Sequence, residues 1–373
     1  MRYENFSLTF SSAGEGRFLT RVLDSPAGQA SGDFILPFAN SSLRRGSEAA
    51  ARRNISKEEG KVEISQSSRP EEIGSLLFNA LFTGDIAQLF FQSLGYVTAK
   101  GDRRLRLIIR VNPNEEGAAS ITSLPWELLY YNGTHKFLAF DLSISIVRYL
   151  EVQQPITSTP LPSRIQLLLI TFNPRETPTL ELKGERRRIQ SAVSGSLHPF
   201  ALTTVQQATI DELCRATRES PFHVIHFSGH GEIDSESGEP FLALEDEKGS
   251  TARLSARMLY SILSPLSTLR LVVLNSCLDQ ELTLGSTVSL ASYLSMQGIP
   301  AVIAHQSAIN DIEAIAFSQS FYEALARGKC LDEALSEGRL AIRAQFNDYH
   351  SWTWATPVLF SRLPSNELFE GDD

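Results

Sequence analysis

The chain predicts an α/β protein in which a mostly parallel sheet, flanked by helices, is preceded by a second α/β unit. Three observations carry that expectation. Residues 165–172, 222–231 and 271–277 are short runs led by β-branched and apolar residues, the composition of strands buried on both faces. Helical periodicity separates such runs, and strands alternating with helices imply a parallel sheet. A proline-bearing stretch near the middle of the chain divides it in two.

In order, residues 1–40 alternate apolar and polar positions through Phe6, Leu8 and Phe10 and again through Phe34, Leu36 and Phe38, the period-two pattern of hairpin strands. Residues 41–70 are rich in Ser, Arg, Lys and Glu and nearly free of large apolar side chains, so they read as a mobile loop or a polar helix. Arg44, Arg45, Arg52 and Arg53 read as a solvated face in preference to a docking patch for an acidic partner. Apolar residues return at helical spacing over 73–91, through Leu77, Leu81, Leu89 and Phe90, and residues 105–111 read as a strand. Trp126 reads as a structural anchor. Residues 151–163 carry Pro155, Pro160 and Pro162 among Thr, Ser and Gln and read as a linker. The expected organisation is a unit at 1–150, the linker at 151–163, a second domain at 164–363 and an acidic tail at 364–373. Within the second domain, helices are expected near 181–195 and 209–219, with Arg186, Arg187 and Arg188 behind Glu185 on a solvated face.

Composition narrows the function classes. The chain has 373 residues, 42% of them hydrophobic, which suffices for two cores. A formal net charge of −9 argues against direct nucleic-acid binding and against an anionic-membrane binder, because both need a positive surface. Cys214, Cys277 and Cys330 are odd in number and widely spaced, so no disulfide framework is expected, and the amino terminus lacks a signal-peptide apolar stretch. A reducing cytoplasm is the expected location. No run approaches the ~18 continuous apolar residues of a spanning helix, so the Asn-x-Ser/Thr matches at Asn5, Asn40, Asn54 and Asn132 read as accidental.

The candidate chemistry lies where two apolar runs end. The first closes on Ser228-Gly229-His230-Gly231 and the second on Asn275-Ser276-Cys277. Open α/β sheets keep their active sites at the carboxyl edge, where such strands deliver a polar residue. A thiolate at Cys277 attacks a peptide carbonyl, the imidazole of His230 sets the thiol's charge and protonates the leaving amine, and the backbone N–H groups of Gly231 and Cys277 hold the oxyanion. The separation of 47 residues matches the His-then-Cys interval, roughly 50, of caspase-type peptidases, although the sequence around the cysteine differs from the caspase signature. A zinc-dependent hydrolase built on His223, His226 and His230 is an alternative; on a strand of period two, however, His223 points away from His226. His226 reads as a packed or hydrogen-bonded side chain, and Cys214 and Cys330 as ordinary thiols.

At these residues the chain resembles the CHAT family of caspase-like and separase-like cysteine peptidases of clan CD. The resemblance continues through 299–304 (Ile-Pro-Ala-Val-Ile-Ala), Asp311, 321–325 (Phe-Tyr-Glu-Ala-Leu), Gly328, Ala334-Leu335, Ala341 and Pro357-Val358-Leu359. Upstream, Leu124-Pro125-Trp126-Glu127-Leu128-Leu129-Tyr130 and Ser145-Ile146-Val147-Arg148-Tyr149 match the family's amino-terminal half. The resemblance implies a caspase-like catalytic domain preceded by a protease-like domain without a dyad, and a cysteine endopeptidase acting on selected cytosolic proteins without a cofactor. It further implies control by a sensor or partner protein in a bacterial conflict or defence pathway. A signalling scaffold without turnover is the competing reading, against which the intact His and Cys speak. In the separase-like pattern an acid near here binds a basic residue before the scissile bond, which makes Asp311 or Asp279 a candidate pocket acid. The bland alternative for Asp311 is a helix cap. Ser307 stands where the family often has an aromatic residue, leaving room for a bulky apolar side chain.

Overall fold

The computed structural model describes residues 2–38, 69–141, 143–156, 159–196, 198–234, 236–278, 286–345 and 351–369. The chain divides into two compact units, one made mainly of Met1–Val152, to which Asp348–Ala355 also belongs, and one of Gln153–Gln280, Ser286–Asn347 and Thr356–Asp373. The arginine-bearing polar stretch, through residue 68, lies outside the described residues.

The first unit opens with β1 (Arg2–Ser12), β2 (Arg17–Asp24) and β3 (Ala30–Ile35), an antiparallel meander. Helices α1 (Pro70–Leu81) and α2 (Gly84–Lys100) follow, then β4 (Arg103–Val111), α3 (Ala118–Ser123), the short hairpin β5 (Tyr130–Tyr131) and β6 (Lys136–Phe137), and β7 (Ile144–Leu150). Its sheet runs β7-β4-β1-β2-β3, with β4 parallel to both neighbours. The periodicity over 73–91 forms two helices rather than one. The chain turns by 107° between α1 and α2, where Gly84 adopts a φ of 49° that few residues other than glycine accept. Each helix then buries its own apolar face, Leu77, Phe78 and Leu81 on α1 and Ile86, Leu89 and Phe90 on α2. Among the described residues no single helix is long and apolar enough to cross a membrane.

Trp126 is fully buried against Phe10 and Phe34, and its Nε1 donates to Ile121 O at 2.9 Å, so it anchors the segment before β5. Beside it, Arg148 of β7 donates to Glu127 Oε2 at 2.6 Å and to the carbonyls of Thr122 and Leu124 at 3.1 and 3.0 Å. Burial pulls the Arg148 guanidinium below its ordinary pKa, and Glu127 opposes that pull. Breaking a buried pair of this kind by removing one partner costs about 3–5 kcal/mol.

The second unit contains β8 (Ile165–Thr171), α4 (Leu182–Val193), β9 (Phe200–Gln206), α5 (Ile210–Glu219), β10 (Val224–Ile233), β11 (Pro240–Glu245), β12 (Thr251–Ser255) and α6 (Ala256–Leu263). It continues with β13 (Leu271–Leu278), α7 (Ser286–Met296), β14 (Ala301–His305), α8 (Asp311–Ala326), α9 (Leu331–Gln345) and β15 (Pro357–Ser361). Strands β9-β8-β10-β13-β14 are all parallel, and β15 pairs antiparallel with β14. The carboxyl end of β10 passes beyond β8 and pairs instead with the antiparallel β11, which carries β12. From β8 the chain steps outward to β9, then returns through α5 to β10 on the other side of β8. Right-handed crossovers therefore place α4 and α5 on opposite faces, and the carboxyl ends of β8 and β10 flank the switch point where such sheets keep their sites. Helix α4 packs on α8, and α8 on α9, where a Cβ at Gly338 would come within 2.6 Å of the Phe317 ring.

The segment read as an acidic tail begins in packed structure. The Phe369 ring stands edge-on to His223, and Leu368 O accepts from Arg270 Nε at 3.0 Å.

Candidate active site

Parallel pairing of β10 with β13 runs in register from Val224↔Leu271 to Gly231↔Leu278, and the rung next to its carboxyl end is His230↔Cys277. The two candidate residues thus sit side by side on neighbouring strands, although they are 47 positions apart in sequence. His230 is only 1% exposed. Its Nε2 lies 2.8 Å from Pro178 O, and since a carbonyl only accepts, Nε2 carries the hydrogen. The neutral ring therefore keeps its lone pair on Nδ1, which is buried and has no hydrogen-bond partner among the described residues.

Pro178 belongs to the loop between β8 and α4, and one side chain shapes that loop. Asn173 Nδ2 donates to Pro178 O and Thr177 Oγ1, both at 3.2 Å, and Asn173 Oδ1 accepts from Leu180 N at 2.6 Å. The Asn173 backbone N–H in turn donates to Glu245 Oε1 at 2.9 Å. A sharp steric constraint lies one residue before the histidine: a Cβ at Gly229 would fall 2.3 Å from the Phe172 ring and 2.5 Å from Phe172 O.

Beneath the dyad rung lies a buried polar cluster. Glu185 of α4, only 4% exposed, accepts from His226 Nε2 at 3.1 Å, from Ser318 Oγ at 2.6 Å, and from Ser228 Oγ and Asn275 Nδ2. His226 Nδ1 is 3.0 Å from Tyr322 OH of α8. Burial alone would raise the Glu185 carboxyl, but His226 together with the Ser228 and Ser318 hydroxyls outweighs it and holds the pKa below the usual carboxylate value. Burial and the Glu185 charge push the Tyr322 phenol well above its ordinary value. His305, at the end of β14, is lowered to about 3 by burial, against the pull of Glu185, and is neutral. Sequence reasoning missed Glu185, which it set with the arginines on a solvated face. The signal was present: Glu185, Ile189 and Ala192-Val193 recur at helical spacing, so the acid sits on the apolar stripe of α4 while Arg187 and Arg188 point outward.

The other candidates divide. His223, just before β10, accepts from Gln166 N at 2.9 Å through Nδ1, so it, His226 and His230 have three separate sets of partners. Among the described residues no group of three His, Cys, Asp or Glu is arranged to hold a metal ion. Cys214 on α5 and Cys330 ahead of α9 are both half-buried. Asp311 is not the cap of α8. Asn310 is, accepting from Glu313 N at 3.0 Å while Glu313 Oε2 accepts from Asn310 N at 3.0 Å, a reciprocal capping box. Asp311 instead reaches the start of α4, where Oδ2 accepts from Glu181 N at 2.9 Å, three residues beyond the carbonyl that holds His230. Ser307 is buried in the loop between β14 and α8. Asp279 lies outside the described residues.

Several solved structures resemble this chain. Separase of Saccharomyces cerevisiae, in its complex with securin, is 14% identical over 69% of this chain with a TM-score of 0.40, and this chain spans only 15% of it. The Arg-specific cysteine proteinase gingipain R of Porphyromonas gingivalis is 10% identical over 80% of this chain and 70% of its own, with a TM-score of 0.48. Caspase-1 of Spodoptera frugiperda is 12% identical over 57% of this chain and 97% of its own, with a TM-score of 0.38. The sequence matches none of the curated proteins compared with it. A family model does match, over residues 71–362, a span that takes in the His230 and Cys277 rung, the Glu185 cluster and the Glu127–Arg148 pair alike. On that match, the chain belongs to the CHAT domain family.

Proposed function

We propose that the chain is a cysteine endopeptidase in which Cys277 is the nucleophile and His230 the general base and acid. The observation that carries the reading is the adjacent register of the two residues, combined with an imidazole whose Nε2–H is committed to Pro178 O and whose Nδ1 lone pair is unengaged among the described residues. In the first half-reaction the Cys277 thiol gives its proton to Nδ1. The thiolate adds to the scissile carbonyl carbon, and the oxyanion is held by backbone N–H groups, for which Gly231 and Cys277 are the candidates. As the tetrahedral centre collapses, Nδ1–H protonates the leaving amine, and a thioester remains. Water, giving a proton to Nδ1, then releases the acid and restores the thiol. Throughout, Pro178 O accepts from Nε2–H and fixes the orientation of the ring.

This reading requires no cofactor. It includes selected proteins as substrates, a cytoplasmic setting and a partner or sensor that restrains activity, since unrestrained cleavage of cellular proteins is toxic; a bacterial defence pathway fits that need by family analogy. Asp311, bonded to Glu181 N three residues beyond Pro178, is the candidate pocket acid, with Asp279 as a second candidate acid and Ser307 as a further candidate pocket residue. The test compares amino-terminal peptide profiles of cells expressing the wild type, Cys277→Ala or His230→Ala. New termini confined to the wild type are expected, and the same termini in either variant would overturn the assignment.

A further inference from the structure

Glu185 links both dyad strands two rungs below the dyad. Ser228 and Asn275 are Cα partners across β10 and β13, and one carboxylate accepts from the side chains of both. His230 and Cys277 are the next residues on each strand after a step of two, about 6.6 Å along the strand. The same carboxylate is tied to Ser318 of α8, and through His226 to Tyr322 of that helix.

Parallel strands are already hydrogen-bonded along their length, so a buried carboxylate is not needed to hold them at this point. Its burial is itself unfavourable and is offset only by the donors gathered around it. An apolar side chain of similar shape on α4 would fill the same space without that cost. Two of the donors, Ser228 and Asn275, stand two residues before the dyad on each strand, whereas the amino-terminal halves of β10 and β13 are apolar, with His226 the exception.

We infer that Glu185 is a positioning residue for the dyad, clamping β10 to β13 through Ser228 and Asn275 so that His230 Nδ1 and Cys277 are held in reacting geometry. The inference rests on the peptidase reading and deepens it. Glu185 touches neither substrate nor the reacting atoms; it acts through the two strands.

The test measures the second-order rate constant for alkylation of Cys277 by iodoacetamide in the full chain, located by peptide mass mapping and normalised to the folded fraction. Normalisation matters because a merely structural role lowers the folded fraction and leaves the rate constant per folded molecule unchanged. Glu185→Leu removes the clamp, whereas Glu185→Gln keeps one acceptor for Asn275 and a donor for Ser228. The expected order is wild type, then Gln, then Leu, with Leu slower by ~10- to 100-fold, the loss that a misplacement of about 1 Å produces. Adding Ser228→Ala to Glu185→Leu should cost nothing further, because both remove the same arm. Equal rate constants in the wild type and Glu185→Leu overturn the inference. If Glu185→Leu does not fold, Ser228→Ala decides: a slowed rate constant supports the clamp and a wild-type one overturns it. The wild type also separates this inference from its foundation. Should Cys277 react no faster than Cys214 and Cys330, and at a rate indifferent to His230→Ala, the dyad reading fails and takes the clamp with it; a fast, His230-dependent Cys277 that ignores Glu185 removes the clamp alone.

Discussion

Replacing Gly229 by Ala tests how tightly the fold dictates the position of His230. The added methyl would stand 2.3 Å from the Cδ2 and Cε2 atoms of Phe172 and 2.5 Å from its carbonyl oxygen, where ordinary contact begins at 3.4 Å. Phe172 is fully buried and its amide donates to Ser228 O at 3.1 Å, so neither its ring nor its backbone has room to yield. Against the backbone oxygen alone the shortfall is 3.4 − 2.5, or 0.9 Å, and β10 has to retreat by that amount. His230 is the next residue. A shift of that size takes the Nε2 contact to Pro178 O from 2.8 Å to beyond hydrogen-bond range. Overpacking of this kind destabilises by about 1–3 kcal/mol, and displacement of a catalytic group by about 1 Å costs ~10²-fold in rate. The assay is the Cys277 alkylation rate constant per folded molecule, alongside thermal unfolding. Both should fall, and a second change of Phe172→Leu should not restore them, because the carbonyl oxygen remains. A Gly229→Ala chain with wild-type stability and a wild-type rate constant would refute the argument that this close approach positions the imidazole.

His226→Ala should lower thermal stability and leave measurable cleavage, since it removes a partner of Glu185 and Tyr322, whereas His230→Ala should abolish cleavage in a folded chain; equal loss in both would move the base to His226. His305 predicts acid sensitivity. Its folded pKa, about 3, lies below the ordinary 6.5, so the unfolded chain binds the extra proton; its contribution is complete above pH 6.5 and is lost as pH falls from there toward 3. His305→Asn, which retains an acceptor or donor for Thr356 Oγ1, should flatten urea-derived stability against pH in that window, and an unchanged slope would contradict the assignment. Asp311→Asn keeps an oxygen for Glu181 N and removes only the charge, so a pocket acid should reveal itself by a selective loss, of orders of magnitude, on peptides with Arg or Lys before the cut. Uniform activity on every peptide, or cleavage chiefly after Leu, Met or Phe, would reject Asp311 as the pocket acid.

Strand identity is legible because burial on both faces demands runs such as Leu271-Val272-Val273-Leu274 and Leu167-Leu168-Leu169-Ile170. Helix existence was equally plain at 181–195 and 209–219, where the structure has α4 and α5. Boundaries were less so. The pattern over 73–91 continues smoothly through Phe82 and Thr83, and only the backbone of Gly84 reveals the turn between two helices. The cap of α8 is ambiguous for a related reason: Asn310 and Asp311 are both good cap residues, and what decides for Asn310 is Glu313, three residues on and able to close the box.

The site divides along the same line. His230 and Cys277 stand out because each interrupts an apolar run with reactive chemistry, a contrast visible within ten residues of sequence. The groups that hold His230 do not. Pro178 contributes a backbone carbonyl, which no residue type announces, and Asn173 acts on a loop whose closure is a property of the chain path. Glu185 was hidden by its neighbours, since three consecutive arginines make any helix look solvated. Yet the helix has to turn one face inward, and with Ile189, Ala192 and Val193 on that face the acid could only be inside. A buried carboxylate then demands donors, and the sequence supplies them where buried and largely apolar strands carry His226, Ser228 and Asn275. Polar residues at interior positions of two buried strands, spaced two before the dyad on each, are therefore the sequence trace of a partner on a helix far along the chain.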